Sequence, residues 1–289
     1  MKIALLGIGQ MGFPMGRRLC EAGYDLSVWN RTPDKAQRLA QWGAKVCLDP
    51  AEAVRHADVV ITLLDNGSIV QTVLFELGVA AAMQPGSLLV DMSSIKPIEA
   101  RDHAARLSEL HVEYMDAPVS GGTVGADQGT LAIMAGGKVP NFVRAQPVFK
   151  VFGHATHVGP IGTGQLTKLA NQMIVGITIG AVAEALLLCE KGGADMAKVK
   201  EAITGGFADS RILQVHGQRM VDRDFAPRAR MNLQLKDLRN VIATAREIGF
   251  EAPITALFEQ LYAQSIDHGL ADLDHSGLFV ELASRNGMA

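Results

Sequence analysis

Lys2-Ile3-Ala4-Leu5-Leu6-Gly7-Ile8-Gly9-Gln10-Met11-Gly12 opens the chain after its first methionine. After Lys2 the run is wholly apolar, as in a central parallel strand covered on both faces. It passes directly into glycines spaced G-x-G-x-x-G. Alone, that spacing is a weak signal and suits an ordinary turn. Here a helix is expected over residues 11–22, stopped at Gly23, and a second strand over 25–29. In that setting the glycines indicate a dinucleotide-binding turn. Gly7 permits the tight turn, Gly9 lets the backbone approach a pyrophosphate, and Gly12 lets helix and strand pack closely. Ile8, Gln10 and Met11 complete the turn, and the helix N-terminus stabilises phosphate charge.

The tip of the second strand bears on which dinucleotide binds. NAD-binding chains usually carry an acid there to hold the ribose 2′-hydroxyl. This chain has Trp29-Asn30-Arg31-Thr32. Arg31 suits a 2′-phosphate, and Asn30 and Thr32 can add hydrogen bonds. NADP(H) is expected to be preferred, with NAD(H) possible.

Strand and helix patterns go on alternating to about residue 158, which predicts an α/β, doubly wound (Rossmann) N-terminal domain. Ligands of such sheets bind beyond the carboxyl ends of the strands. Leu64, Asp65 and Asn66 lie at the end of one strand and Ser93, Ser94 and Ile95 at the end of another, so both ends are expected to flank the nicotinamide. They would look much the same as plain helix-capping turns. Residues 116–130 then read Asp-Ala-Pro-Val-Ser-Gly-Gly-Thr-Val-Gly-Ala-Asp-Gln-Gly-Thr. So many glycines suit a loop with free backbone N–H groups, a nest for a carboxylate formed by Ser120, Gly121 and Gly122. A plain hairpin connection is the alternative.

Just past the middle, residues 159–172 read Gly-Pro-Ile-Gly-Thr-Gly-Gln-Leu-Thr-Lys-Leu-Ala-Asn-Gln. From there the pattern is helical to the end, giving an all-α C-terminal domain built on a long interdomain helix. The expected division is 1–163 and 164–289. The helix 165–191 would be about 40 Å long. Its middle is apolar on every face and rich in small residues, as in a helix buried all round. Lys168, Asn171 and Gln172 lie three and four positions apart and share a face, so they converge. Lys168 is expected to work where the domains meet. Lys236-Asp237, on a helix over 233–248, is a further polar group, although lysines on amphipathic helices are more often solvated. His154, His157, His216, His268 and His275 are scattered without ligand spacing, and no metal site is expected.

With 289 residues the chain is long enough for about two domains. A net charge of −3 offers no footprint for nucleic acid or an anionic membrane. Three widely spaced cysteines suit buried thiols in a reducing compartment. The first strand begins too early for a signal peptide. The most apolar run, residues 173–183, ends at Glu184, short of a membrane span. A cytoplasmic protein with no membrane or nucleic-acid partner is the expectation.

Four segments together carry a resemblance: GxGxMGxPM at 7–15, DAPVSGG at 116–122, GTGQxxKxxNQ at 162–172 and LKDL at 235–238. In that order, and spanning essentially the whole chain, they resemble the β-hydroxyacid dehydrogenase family, which includes 3-hydroxyisobutyrate dehydrogenases. Residues 205–220 and Leu273-Asp274-His275-Ser276 further resemble the group within it that reduces tartronate semialdehyde. So does Gln172, where many relatives have asparagine.

The resemblance implies hydride transfer to the aldehyde carbon of a small oxo acid, with Lys168 as general acid and as base in reverse. A lysine pKa is ordinarily about 10.4; desolvation in a closed cleft and the nearby Lys236 would favour the neutral form. It also implies that Asn171 orients Lys168 and the substrate, with Gln172 beside it. Ser120, Gly121 and Gly122 would hold the carboxylate, and Lys236 would support substrate or nicotinamide. A homodimer or homotetramer is expected. The alternatives are a glyoxylate or succinic semialdehyde reductase, another 3-hydroxyacid dehydrogenase of the family, and a non-catalytic NADP-binding protein.

Overall fold

The computed structural model describes residues 1–288. The chain forms two compact units, one spanning Met1–Lys168 and the other beginning at Leu169.

In the first unit, strands β1 (Lys2–Leu6), β2 (Asp25–Trp29), β3 (Lys45–Val46), β4 (Val59–Thr62), β5 (Leu88–Asp91) and β6 (Glu113–Asp116) lie in the parallel order β3-β2-β1-β4-β5-β6. The other three strands are β7 (Val119–Ser120), β8 (Leu131–Gly137) and β9 (Gly153–Gly159). Of these, β8 pairs antiparallel with β6 and β7, and β9 runs parallel to β8. Because strand side chains alternate between faces, the sheet feeds two cores. Ile3, Leu5, Val59, Ile61, Leu88 and Val90 pack with Met15 and Leu19 from the helix Gly12–Glu21. Ala4, Leu6, Val60 and Leu89 pack on the other side with Ala100 and Leu107 from the helix Pro97–Glu109. The strand order reverses between β1 and β4, and the crevice beyond their carboxyl ends is where such sheets take ligands.

One local expectation is corrected. Residues 116–130 are not an open glycine loop: Val119–Ser120 is a strand of the sheet, and Gly122–Gln128 is a short helix. The glycines mark its ends, with Gly121 at φ +137°, Gly122 at +64° and Gly129 at +69°.

The second unit is helical, with Met196–Ile203, Met231–Glu247, Pro253–Asp267 and Leu278–Arg285 as its main members. Two apolar clusters hold it. Ile179, Ala183 and Leu186 pack with Met220 and Phe279 in one, and Leu235 and Leu238 pack with Tyr262 and Leu278 in the other. The helix Thr163–Lys191 is a single element of 29 residues. By length and composition it is apolar enough to cross a membrane, with a mean hydropathy of 1.9, so counting only residues 173–183 understated it. Nor is it buried all round: 33% of its most apolar window is buried, and Ile174 and Leu188 are exposed. One face is packed within the unit. A Cβ at Gly180 would lie 2.0 Å from the Phe258 ring, an approach only glycine allows.

Candidate functional site

The glycine turn after β1 is held by the end of β2. Gly7 N–H donates to the Trp29 carbonyl at 2.9 Å. The Asn30 side chain accepts from Ile8 N–H at 2.9 Å and donates to the Thr32 carbonyl at 2.9 Å. Asn30 thus shapes the turn, while Arg31 and Thr32 stand exposed beside it. The three fingerprint glycines differ in what requires them. A Cβ on Gly7 would fall 2.2 Å from the Leu63 carbonyl oxygen, and one on Gly12 would fall 2.0 Å from that of Gly7. A Cβ on Gly9 would meet nothing within 4 Å, so internal packing does not demand glycine there. Gly9 and Gln10 are exposed and Met11 is half-buried, at the start of a helix with no acid in its first turn. An open backbone, an electropositive helix start and an exposed arginine fit a phosphorylated dinucleotide.

The ends of β4 and β5 are locked together. Ser93 is buried, and its hydroxyl accepts from Leu64 N–H at 2.9 Å. Ser93 N–H donates to Asp91 Oδ1 at 3.0 Å, and the same oxygen accepts from the Thr62 hydroxyl at 2.9 Å. Asn66 caps the helix that follows, accepting from Ile69 N–H at 3.0 Å and the Ser68 hydroxyl at 2.7 Å. The capping alternative therefore describes Asn66, with the exposed Asp65 just before it. Ser120 is half-buried at the end of β7, and the exposed Gly121 and Gly122 follow it at positive φ.

Asp116, at the end of β6, fixes the start of the long helix. Its Oδ1 accepts from Gly162 N–H at 2.7 Å and its Oδ2 from Gln165 N–H at 2.8 Å. Burial pushes this carboxyl up to about 6, although those two N–H groups favour the ionised form. The helix so anchored presents Lys168, half-buried, within its second turn.

Further along the same helix the second unit joins three of the expected residues through a fourth. Asn171 Nδ2 donates to Gln172 Oε1 at 2.8 Å, and Gln172 Nε2 donates to Asp237 Oδ2 at 2.6 Å. Asp237 Oδ1 pairs with Lys236 Nζ at 3.2 Å. The sequence alone assigns Asp237 no role. Its signal was an acid next to Lys236 on an amphipathic helix, and its carboxylate holds the orientation of both Gln172 and Lys236.

His216 and His275 are not scattered. With Asp274 they offer three ligand-type atoms within 4.8 Å of one another, and the two rings meet edge to face at 4.6 Å. A π-helical turn, Leu213–Gly217, carries His216 into this cluster. Protein donors already serve the carboxylate. Arg219 donates to Asp274 Oδ1 at 2.9 Å, the Ser276 hydroxyl at 2.6 Å, and Ala229 N–H to Oδ2 at 3.1 Å. Arg219 also lies 3.1 Å from His216 Nδ1, placing a positive charge where a cation would bind. Burial would raise the Asp274 carboxyl, but His216, His275, Ser276 and Ala229 outweigh it and hold the group well below the usual carboxylate range. The cluster ties residues 205–220 to the 273–276 segment.

Comparison with known proteins places these features. Residues 2–162 match the model of the NAD binding domain of 6-phosphogluconate dehydrogenase. Residues 162–282 match that of the NAD-binding region of NADP-dependent 3-hydroxyisobutyrate dehydrogenase. The chain is 42% identical to 2-hydroxy-3-oxopropionate reductase of Escherichia coli, over 100% of both proteins. It is 33% identical to L-threonate dehydrogenase of Cupriavidus necator, over 93% of both. Its fold matches a structure of 3-hydroxyisobutyrate dehydrogenase from Mycobacterium tuberculosis with L-serine, at TM-score 0.89 and 34% identity, covering 97% of this chain and 98% of that one. The paired domain models and the full-length relatives agree: the chain belongs to the 3-hydroxyisobutyrate dehydrogenase family of NAD(P)-dependent 3-hydroxyacid oxidoreductases.

Proposed function

We propose that this enzyme reduces tartronate semialdehyde (2-hydroxy-3-oxopropanoate) to D-glycerate reversibly, with NADPH preferred over NADH. The observation that carries the substrate is the full-length 42% identity to the E. coli reductase, together with glutamine at position 172. When bound, the nicotinamide supplies or accepts the hydride. Lys168 delivers a proton from Nζ to the carbonyl oxygen as hydride reaches the aldehyde carbon, and takes it back in the oxidative direction. Asn171 orients Lys168 and the substrate. Gln172 contacts the substrate, and its hold on Asp237 fixes which way its amide faces. Ser120 and the N–H groups of Gly121 and Gly122 bind the substrate carboxylate, and Lys236 adds a supporting charge.

Gly7, Ile8, Gly9, Gln10, Met11 and Gly12 form the turn that would hold the cofactor's pyrophosphate. Asn30, Arg31 and Thr32 would serve the 2′-phosphate end, and Leu64, Asp65, Asn66, Ser93 and Lys236 the nicotinamide end. The preference for NADPH rests on Arg31 and on the lack of an acid at the β2 tip. The enzyme is cytoplasmic and acts as a homodimer or homotetramer, in keeping with exposed apolar residues such as Ile174 and Leu188 on its longest helix.

The test is NADPH oxidation with tartronate semialdehyde, glyoxylate, succinic semialdehyde and methylmalonate semialdehyde as competing substrates. Tartronate semialdehyde should show the highest kcat/KM. A higher value for glyoxylate or succinic semialdehyde would move the enzyme to that group of reductases. Nucleotide binding without turnover of any of them would make it a non-catalytic NADP-binding protein.

A further inference from the structure

Gln165 has no role in the proton transfer, yet both ends of its side-chain amide are engaged. It is completely buried in the first turn of the long helix, three residues before Lys168. Its Nε2 donates to the Ser93 carbonyl at 2.8 Å and its Oε1 accepts from Ile95 N–H at 3.1 Å. One amide thus pairs with the donor and the acceptor of a single short backbone segment, much as a neighbouring strand would. Its own N–H is fixed by Asp116. The segment it grips continues outward: Ser93 holds Leu64 N–H through its hydroxyl and is itself held by Asp91. The ends of β4, β5 and β6 and the start of the Lys168 helix therefore belong to one hydrogen-bonded chain.

The helix start has little other freedom. A Cβ on Gly164 would lie 2.3 Å from the Met134 carbonyl oxygen and 2.7 Å from that of Asp116. Packing sets how closely the helix approaches the sheet, and the Gln165 amide sets its rotation against the 93–95 segment.

We infer that Gln165 is a positioning residue that sets the place of Lys168 relative to the nicotinamide-side loops at Leu64 and Ser93. This rests on the proposed role of Lys168. Few side chains can replace it. Glutamate can accept from Ile95 N–H but has nothing to donate to the Ser93 carbonyl. Asparagine keeps both groups but is one methylene too short. Misplacement of reacting groups by about 1 Å costs on the order of 100-fold in rate. Uniform binding of substrate need not change with it.

The experiment compares wild type with Gln165→Glu and with Gln165→Asn, the gentler change should the first fail to fold. Lys168→Ala is run in parallel. Active sites are counted by NADPH binding, and kcat per site, KM for the aldehyde and the primary isotope effect with deuterated NADPH are measured. Hydrogen exchange across residues 92–96 is followed in the cofactor-free protein. The expected result is a fall in kcat per site of about 10- to 100-fold with KM within about threefold. The isotope effect should be larger than in wild type, and exchange at 92–96 faster. Wild-type kcat per site and isotope effect, with only faster exchange or lower thermal stability, would reduce Gln165 to a structural residue and overturn the inference. If Lys168→Ala itself keeps near-normal turnover, the proposed function fails and this inference fails with it.

Discussion

Gln172 donates to Asp237 at 2.6 Å, and this bond ties a side chain of the long helix to the Lys236-Asp237 pair. The Gln172 carbonyl also accepts from Gln234 Nε2 at 3.0 Å, so backbone and side chain are both held. Asparagine at 172 would fall a methylene short of Asp237 and leave its Oδ2 without that donor. Gln172→Asn should therefore lower kcat/KM for tartronate semialdehyde relative to methylmalonate semialdehyde by about tenfold. A substrate panel on the purified variant reads this ratio, and an unchanged ratio would remove Gln172 as a specificity residue.

Gly9 and Gly12 separate ligand approach from packing. In Gly12→Ala the new methyl meets the Gly7 carbonyl, so melting temperature and NADPH affinity should fall together. In Gly9→Ala the methyl meets no protein atom. That variant should melt within about 2 °C of wild type while binding NADPH about tenfold more weakly or worse. Unaltered NADPH affinity in Gly9→Ala would mean that the pyrophosphate does not lie against Gly9.

Arg31 is exposed, and Asn30 holds the neighbouring turn in place without it. Arg31→Asp should leave stability within about 0.5 kcal/mol. It should shift the NADPH-to-NADH ratio of kcat/KM by at least about tenfold toward NADH. If that ratio stays put, the arginine is a loop residue with no part in cofactor choice.

Asp116 makes a pH prediction whose sign follows from its raised carboxyl. The folded protein holds this proton more tightly than the unfolded chain, with the group moved from 3.8 to about 6. The linked stabilisation is complete below the ordinary carboxyl range and is lost as pH rises through about 6. Asp116→Asn lacks that proton. The unfolding free energy of wild type, measured relative to this variant, should decrease between about pH 4 and pH 6.5, by on the order of 2–3 kcal/mol. A difference that is flat or increases over that range would contradict the buried, protonatable carboxyl.

Much of this molecule is legible in its first residues, because an apolar strand, a glycine turn and a helix have few physical solutions. Gly7 and Gly12 sit where close backbone contacts forbid a Cβ, and these constraints show as residue types. Less could be read where the same residue type serves two purposes. The glycines at 121, 122 and 129 signal an open loop by composition, yet they end a helix, since positive φ is needed at helix boundaries as much as in loops. Pairings between distant segments left no local trace. Arg219 and Asp274 lie 55 residues apart, so the cluster around His216 and His275 could not be seen from spacing. Gln165 and Asp237 stand inside the motifs but gain a role only from the structure, because a buried polar side chain reveals itself only through its partners. Asn30, Asn66 and Ser93 suit a ligand by position, and each also has protein groups to hold.

The most direct test of the account is turnover by Lys168→Ala. NADPH binding and tartronate semialdehyde reduction would be measured side by side for wild type and variant. The account predicts NADPH affinity close to wild type, with kcat lowered by roughly 100- to 10,000-fold, the range a positioned general acid contributes. A variant that reduces the aldehyde at a near-normal rate would contradict it.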